Sequence, residues 1–204
     1  MNQGICIILS APSGGGKTSI IRELMSRLPI LKHSISYTTR SVRSDKEDGK
    51  DYHFVTEDTF RKMVENGEFL EWAVVHGKFY GTSKHDLMVL LDNGYDVILD
   101  IDIQGSRNMR KAFQKGVHIF VMPPSMEVLE NRLRSRGSEN EEDLKKRLEN
   151  ARNEMVAYWE YDYVVINSNL ESAVETIKSI VIAERARADR FETVFKRIFE
   201  KGDI

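Results

Sequence analysis

The stretch Ser10-Ala11-Pro12-Ser13-Gly14-Gly15-Gly16-Lys17-Thr18-Ser19 constrains this chain more than any other. Three consecutive glycines favour neither helix nor strand, but they let the backbone approach a ligand closely. An apolar run, residues 5–9, precedes them, and a helical pattern, 19–25, follows. A strand, a glycine loop and a helix start together let backbone N–H groups wrap an anion. The pattern G-x-x-x-x-G-K-[ST] is met from position 11 to 18, with Ala11 in place of the first glycine. The alternative is a flexible turn that happens to contain a lysine. It leaves the flanking strand and helix unexplained. The N–H groups of Gly14, Gly15, Gly16, Lys17 and Thr18 are expected to line one concavity. Lys17 then reaches the β- and γ-phosphates of a nucleoside triphosphate, and the Thr18 hydroxyl helps to hold Mg2+.

The chain has 204 residues, 41% of them hydrophobic, enough for one sizeable core with one or two insertions. Charged residues make up 30% and the formal net charge is −2, which argues against a general nucleic-acid binder. The one cysteine, Cys6, cannot form an intramolecular disulfide and reads as a small buried hydrophobe in a reduced compartment. The first residues show no secretory signal, and no run is long enough to span a membrane. A soluble cytoplasmic protein is expected.

Four apolar runs, 5–9, 97–99, 117–122 and 163–166, read as buried parallel strands. Helical patterns at 18–27, 106–114, 126–134 and 170–186 or beyond separate or follow them. The alternation implies an α/β fold with a parallel sheet flanked by helices, which binds ligands at the C-terminal strand ends. Two segments interrupt it. Residues 34–83 hold short aromatic strands around one helix, 57–66, with Thr56 as N-cap and Gly67 at its end, and read as an inserted small domain. Residues 132–155 are almost wholly charged and helical in period. They are either a solvated helical pair or a lid whose arginines close on phosphates. No repeat or metal-ligand spacing is found, and none of the five histidines is given a role.

Asp100 and Asp102 end the run "VILDID" and point the same way if the chain is extended there. They suit Mg2+ coordination or a nucleotide contact; capping of the helix that follows is the alternative. Arg40, Arg43, Tyr52 and Tyr80 can close on a phosphate monoester through charge-assisted hydrogen bonds. Glu71, an acceptor-only carboxylate, matches the two adjacent donors of guanine, N1–H and the 2-amino group, and repels adenine.

These segments together make the chain similar to the guanylate kinase family over essentially its full length. The motifs are "SAPSGGGKTS", "SISYTTRSVR", "GKDYHFV", "FLEWAVVHGKFYGTS", "LDIDIQG", "RLRSRG" and "KKRLENA". The resemblance implies a P-loop NTPase-type core (1–33, 84–125 and 156–204), a mixed α+β GMP-binding insert (34–83) and a helical lid (126–155). It implies ATP and GMP or dGMP as substrates, with Mg2+ as cofactor. Ala11, Pro12, Ser13, Gly14, Gly15, Gly16, Lys17 and Thr18 are then the ATP loop, with Asn167 near the adenine. Ser36, Arg40, Arg43, Tyr52, Glu71, Tyr80, Thr82, Asp100 and Asp102 are placed around GMP. Thr82 stands where the family often has Ser, and Tyr37 where a smaller hydroxyl residue is common. Lys17, Arg40, Arg43, Arg132, Arg136 and Arg147 are the expected catalytic cations, and Thr18 and Asp100 the expected metal ligands. Two other readings stay open: a non-catalytic protein-binding domain of the same fold, and a P-loop kinase with another small acceptor. The oligomeric state is open too.

Overall fold

Strand β1 (Cys6–Ser10) is buried along its whole length, and the rest of the chain is arranged around it. The computed structural model describes residues 3–42, 47–75, 77–135 and 141–201. Arg43, His76 and Arg136 lie outside the described residues. After β1 come α1 (Lys17–Arg27), β2 (Leu31–His33), β3 (Tyr37–Thr38), β4 (His53–Phe54), α2 (Glu57–Glu65), β5 (Phe69–Val75) and β6 (Lys78–Ser83). The chain continues through α3 (Lys84–Asp92), β7 (Asp96–Asp100), α4 (Ile103–Ala112), β8 (Val117–Met122), α5 (Met126–Arg134) and α6 (Glu141–Met155). It ends with β9 (Tyr163–Ile166), α7 (Leu170–Arg185) and α8 (Glu192–Lys201).

The first sheet runs β2-β7-β1-β8-β9, and every neighbouring pair is parallel. Alternation along β1 divides the core. Ile5, Ile7 and Leu9 pack with Ile20 and Leu24 of α1 and with Val174 and Ile177 of α7. Cys6 and Ile8 pack on the other side with Leu87 and Leu91 of α3 and Met109 of α4. A strand buried on both faces needs this unbroken apolar sequence. Each fully buried aliphatic side chain contributes ~1.5–3 kcal/mol. The Cys6 thiol is pushed up by this burial, which fits an inert packing residue. The register pairs Leu9 with Asp100, so the glycine loop and Asp100 leave the sheet side by side at its C-terminal end.

The second sheet, order β4-β3-β6-β5, is mixed: β3–β4 is parallel, while β3–β6 and β5–β6 are antiparallel. Phe60 of α2 stacks on Phe69 at 4.6 Å and lies against Phe79 at 5.3 Å, giving this sheet an aromatic core of its own. Tyr37 belongs to it, with its ring 4.6 Å from His53 and 5.8 Å from Phe69. The Thr56 hydroxyl accepts from Thr59 N–H, as its N-cap position predicts. This sheet meets the core where β5 lies on α4, and Asn108 Nδ2 donates to the Trp72 carbonyl at 3.0 Å.

Several expectations are corrected. The core sheet has a fifth strand, β2, which sequence pattern misses because it is three residues long and sits at an edge. Helix α3 is a further addition; Ser83 caps it through Asp86 N–H. Helix α4 starts at Ile103 rather than 106, because Asp102 Oδ1 accepts from Gly105 N–H at 2.8 Å. The charged segment is not solvated all round. Leu129 and Leu133 of α5 are buried together with Leu144 and Ala151 of α6, so one apolar seam joins the two helices.

Candidate active site

The glycine loop turns into α1 at Gly16, which has φ 99° and no side-chain cap. A Cβ there would lie 2.5 Å from Asn167 Nδ2, so glycine is required for space as well as conformation. The loop is held from outside. Gly15 N–H donates to the Pro12 carbonyl at 2.8 Å and so leaves the expected inward row of donors. The remaining members of that row are Gly14, Gly16, Lys17 and Thr18. Asn167, expected near an adenine, is buried, and its Nδ2 donates to the Gly15 carbonyl at 2.9 Å. Arg132 Nη2 donates to the Asn167 carbonyl at 2.8 Å. Its other arm, Nη1, is buried and has no partner among the described residues. Arg147 Nη2 donates to Ser13 Oγ at 2.7 Å. Glu154, which sequence reading passed over as one charge among many on α6, accepts from Ser13 N–H at 3.1 Å.

Lys17 Nζ lies 3.3 Å from Asp100 Oδ1, which joins the loop to the second half of the site. A cavity of about 260 Å3 opens there. Lys17, Ser36, Tyr52, Glu71, Tyr80, Asp100 and Asp102, all singled out from sequence, line it, with Ala73, Val75 and Ile101 as its apolar wall. Tyr80 and Glu71 reach it from neighbouring strands of the second sheet, while Asp100 comes from the end of β7. The Tyr52 phenol is raised chiefly by burial, with Asp100 and Tyr80 adding to the shift and the charge of Arg40 opposing it. Arg40 is half-buried, and its backbone N–H donates to Thr38 Oγ1 at 3.2 Å. Arg43 and Arg136 fall outside the described residues.

Glu71 is only 5% exposed. Thr82 Oγ1 donates to its Oε1 at 2.6 Å. Burial raises its pKa to about 7; Asp102 adds to the rise and the Thr82 hydrogen bonds oppose it. The second oxygen, Oε2, lies close to α4: a Cβ on Gly105 would be 3.0 Å from it and 3.1 Å from Asp102 Oδ1. Asp102 thus caps α4 and also lines the cavity.

The whole chain has close relatives. The family model described as guanylate kinase matches residues 3–184. A guanylate kinase of Geobacter metallireducens is 46% identical over 201 residues, 98% of this chain and 98% of that protein. One of Thermotoga maritima is 48% identical over 195 residues, 96% of this chain and 94% of that protein. The crystal structure of guanylate kinase from Anaplasma phagocytophilum superposes with a TM-score of 0.81 at 32% identity, covering 100% of this chain and 98% of the other. Matched by the family model over most of its length and by whole-length relatives, the chain belongs to the guanylate kinase family.

Proposed function

We propose that the protein transfers the γ-phosphoryl group of ATP to GMP or dGMP, giving ADP and GDP or dGDP. The observation that carries this is the cavity joining the loop lysine, through Asp100, to a buried carboxylate fit for guanine. Residues 34–83 are taken as the GMP-binding insert, 126–155 as the lid and the remainder as the core. An anionic phosphate oxygen of GMP attacks the γ-phosphorus. The bond from that phosphorus to the bridging oxygen breaks, and ADP leaves. The nucleophile is already ionised at neutral pH, so no general base is needed. Lys17, Arg40, Arg147 and the unpartnered Nη1 of Arg132 neutralise the phosphoryl oxygens; Arg43 and Arg136 complete the set in this reading. Arg40, Tyr52 and Tyr80 hold the acceptor phosphate. Glu71, Thr82 and Ser36 read the base. Asn167 acts on ATP through the loop it braces.

The donor chemistry fits Mg2+. Thr18 and Asp100 supply a hydroxyl and a carboxylate oxygen beside the loop, the few hard ligands that a phosphate-borne Mg2+ takes from protein. Held by Thr18 and Asp100, Mg2+ would supply positive charge to the triphosphate. A coupled assay of ADP formation with GMP, dGMP, AMP, CMP and UMP tests the proposal. Turnover with GMP and dGMP far above the other three is expected. ADP formation no faster with GMP than with water would instead leave a binding module.

Glu71 makes the reaction pH-dependent. Accepting two donors from guanine requires the carboxylate, and the free residue titrates at about 7. KM for GMP should therefore rise as pH falls below 7, by up to ~10-fold per pH unit. GMP binding at pH 6 should release a proton, measurable by calorimetry in two buffers of different ionisation enthalpy. The ligand-free protein shows the opposite sense. With the folded pKa raised from 4.5 to about 7, the stability contributed by protonated Glu71 is full below 4.5 and lost as pH rises through about 7. A flat KM and no proton release between pH 6 and 7 would contradict this role.

Gly105 gives a second check. Alanine in the first turn of α4 should favour the helix, yet its Cβ would press on Glu71 Oε2. G105A is expected to keep or raise the melting temperature while increasing KM for GMP several-fold and narrowing the preference for GMP over IMP. KM for ATP should stay the same. A melting curve and kinetics with the two acceptors decide it.

A further inference from the structure

We infer that Glu154 is a positioning residue for the triphosphate loop, acting through Ser13; the inference rests on the reading of that loop as the ATP site. Ser13 is held from two sides by one helix. Its N–H donates to Glu154 Oε2 at 3.1 Å, and its Oγ accepts from Arg147 Nη2 at 2.7 Å. Glu154 and Arg147 stand seven residues apart on α6, two turns along one face. Leu144 and Ala151 anchor the same helix to α5. The two polar groups are thus carried on an element whose placement is set by packing.

A phosphate nest works because its N–H groups are turned inward before the anion arrives. The Ser13 N–H is turned outward, onto a carboxylate. A negative charge so close to a triphosphate site opposes anion binding unless something offsets it, and Arg147 on the same serine does so. An ionised acceptor makes a stronger hydrogen bond than a neutral one, so the outward turn of Ser13 is firmly set. Asn167 on the Gly15 carbonyl and the Pro12 carbonyl on Gly15 N–H fix the next segment of the loop. Glu154 completes that outer bracing at the residue where the loop meets α6. It also ties the loop to the helix that bears Arg147, so a shift of α6 is felt at Ser13.

The test compares wild type, E154A and E154Q. Calorimetry with a non-hydrolysable ATP analogue and, separately, with GMP gives the affinities; steady-state kinetics gives kcat/KM for each substrate. E154A is expected to lose about 10- to 100-fold in ATP-analogue affinity and in kcat/KM for ATP, the scale set by an unsatisfied N–H in a partly buried loop. GMP affinity should stay within about twofold. E154Q keeps an acceptor oxygen and should recover most of the loss. If E154A does not fold, E154D, whose carboxylate is one methylene short, takes its place with the same expectation. ATP-analogue affinity within twofold of wild type in E154A would overturn the inference. So would a parallel loss of ATP and GMP affinity in step with the melting temperature, or no recovery in E154Q. The analogue titration needs no turnover. An absence of GMP phosphorylation by the wild type would therefore count against the proposed function and not against Glu154.

Discussion

Lys17→Ala is expected to lower kcat by about a thousandfold or more, because the proposed mechanism places its charge at the transferring phosphoryl group and relies on positioning and charge neutralisation. The fold should not suffer. The Lys17 side chain is 21% exposed and its partner is Asp100, also partly exposed, so no core contact is lost. The melting temperature should move by no more than a few degrees. K17R is a useful companion. Its planar fork carries the same charge but not the compact ammonium geometry, so it should restore little of the rate. A coupled assay at saturating ATP and GMP, with a melting curve for each protein, is sufficient. A kcat near wild type in K17A would show that the glycine loop does not bind the transferred phosphate.

Glu71→Gln should have the largest effect on substrate choice. In the wild type, Thr82 donates to one carboxylate oxygen, and the other lies toward Gly105 and the cavity side of α4. Glutamine keeps the shape but supplies one acceptor and one NH2. If its oxygen takes the Thr82 bond, the NH2 faces a guanine donor. A site built to bond a substrate group can reject a mismatch by up to ~10⁴-fold, since its own buried groups go unpaired. kcat/KM for GMP should fall toward that scale. The preference for GMP over IMP should narrow, because IMP lacks the 2-amino group. ATP-analogue affinity should be unchanged, and the pH dependence of KM near 7 should vanish with the titrating group. An unchanged GMP-to-IMP ratio in E71Q would take Glu71 out of base reading and leave Ser36, Thr82 and Asp100 for it.

Glu71 shows how far local chemistry reaches. As a carboxylate among aromatic strand residues, it can be proposed as a partner for guanine from hydrogen-bonding rules alone. Its burial, its bond to Thr82 and the approach of α4 depend on which strands pair and on where β5 meets the core. These features raise its pKa to about 7 and make its charge a variable. Gly105 is similar. It reads as a weak helix former, and the closeness of a Cβ there to the Glu71 carboxylate appears only when Glu71 is folded against it.

Features of short range were accessible from the chain. The glycine loop, the Thr56 cap and the two-sided apolar strands are properties of neighbours within a few residues, where propensity, capping and periodicity act directly. The edge strand β2 was not, since three residues carry too little periodicity and its partner β7 is more than sixty positions away. The same reason hid Glu154. On α6 it is one acidic residue in a run of charges, and periodicity marks only the face it occupies. Its partner, Ser13, is 141 residues earlier in the chain. Contacts between groups so far apart are set by the packing of α5 against α6, through a seam of nonpolar side chains that fixes where the polar groups on those helices come to rest.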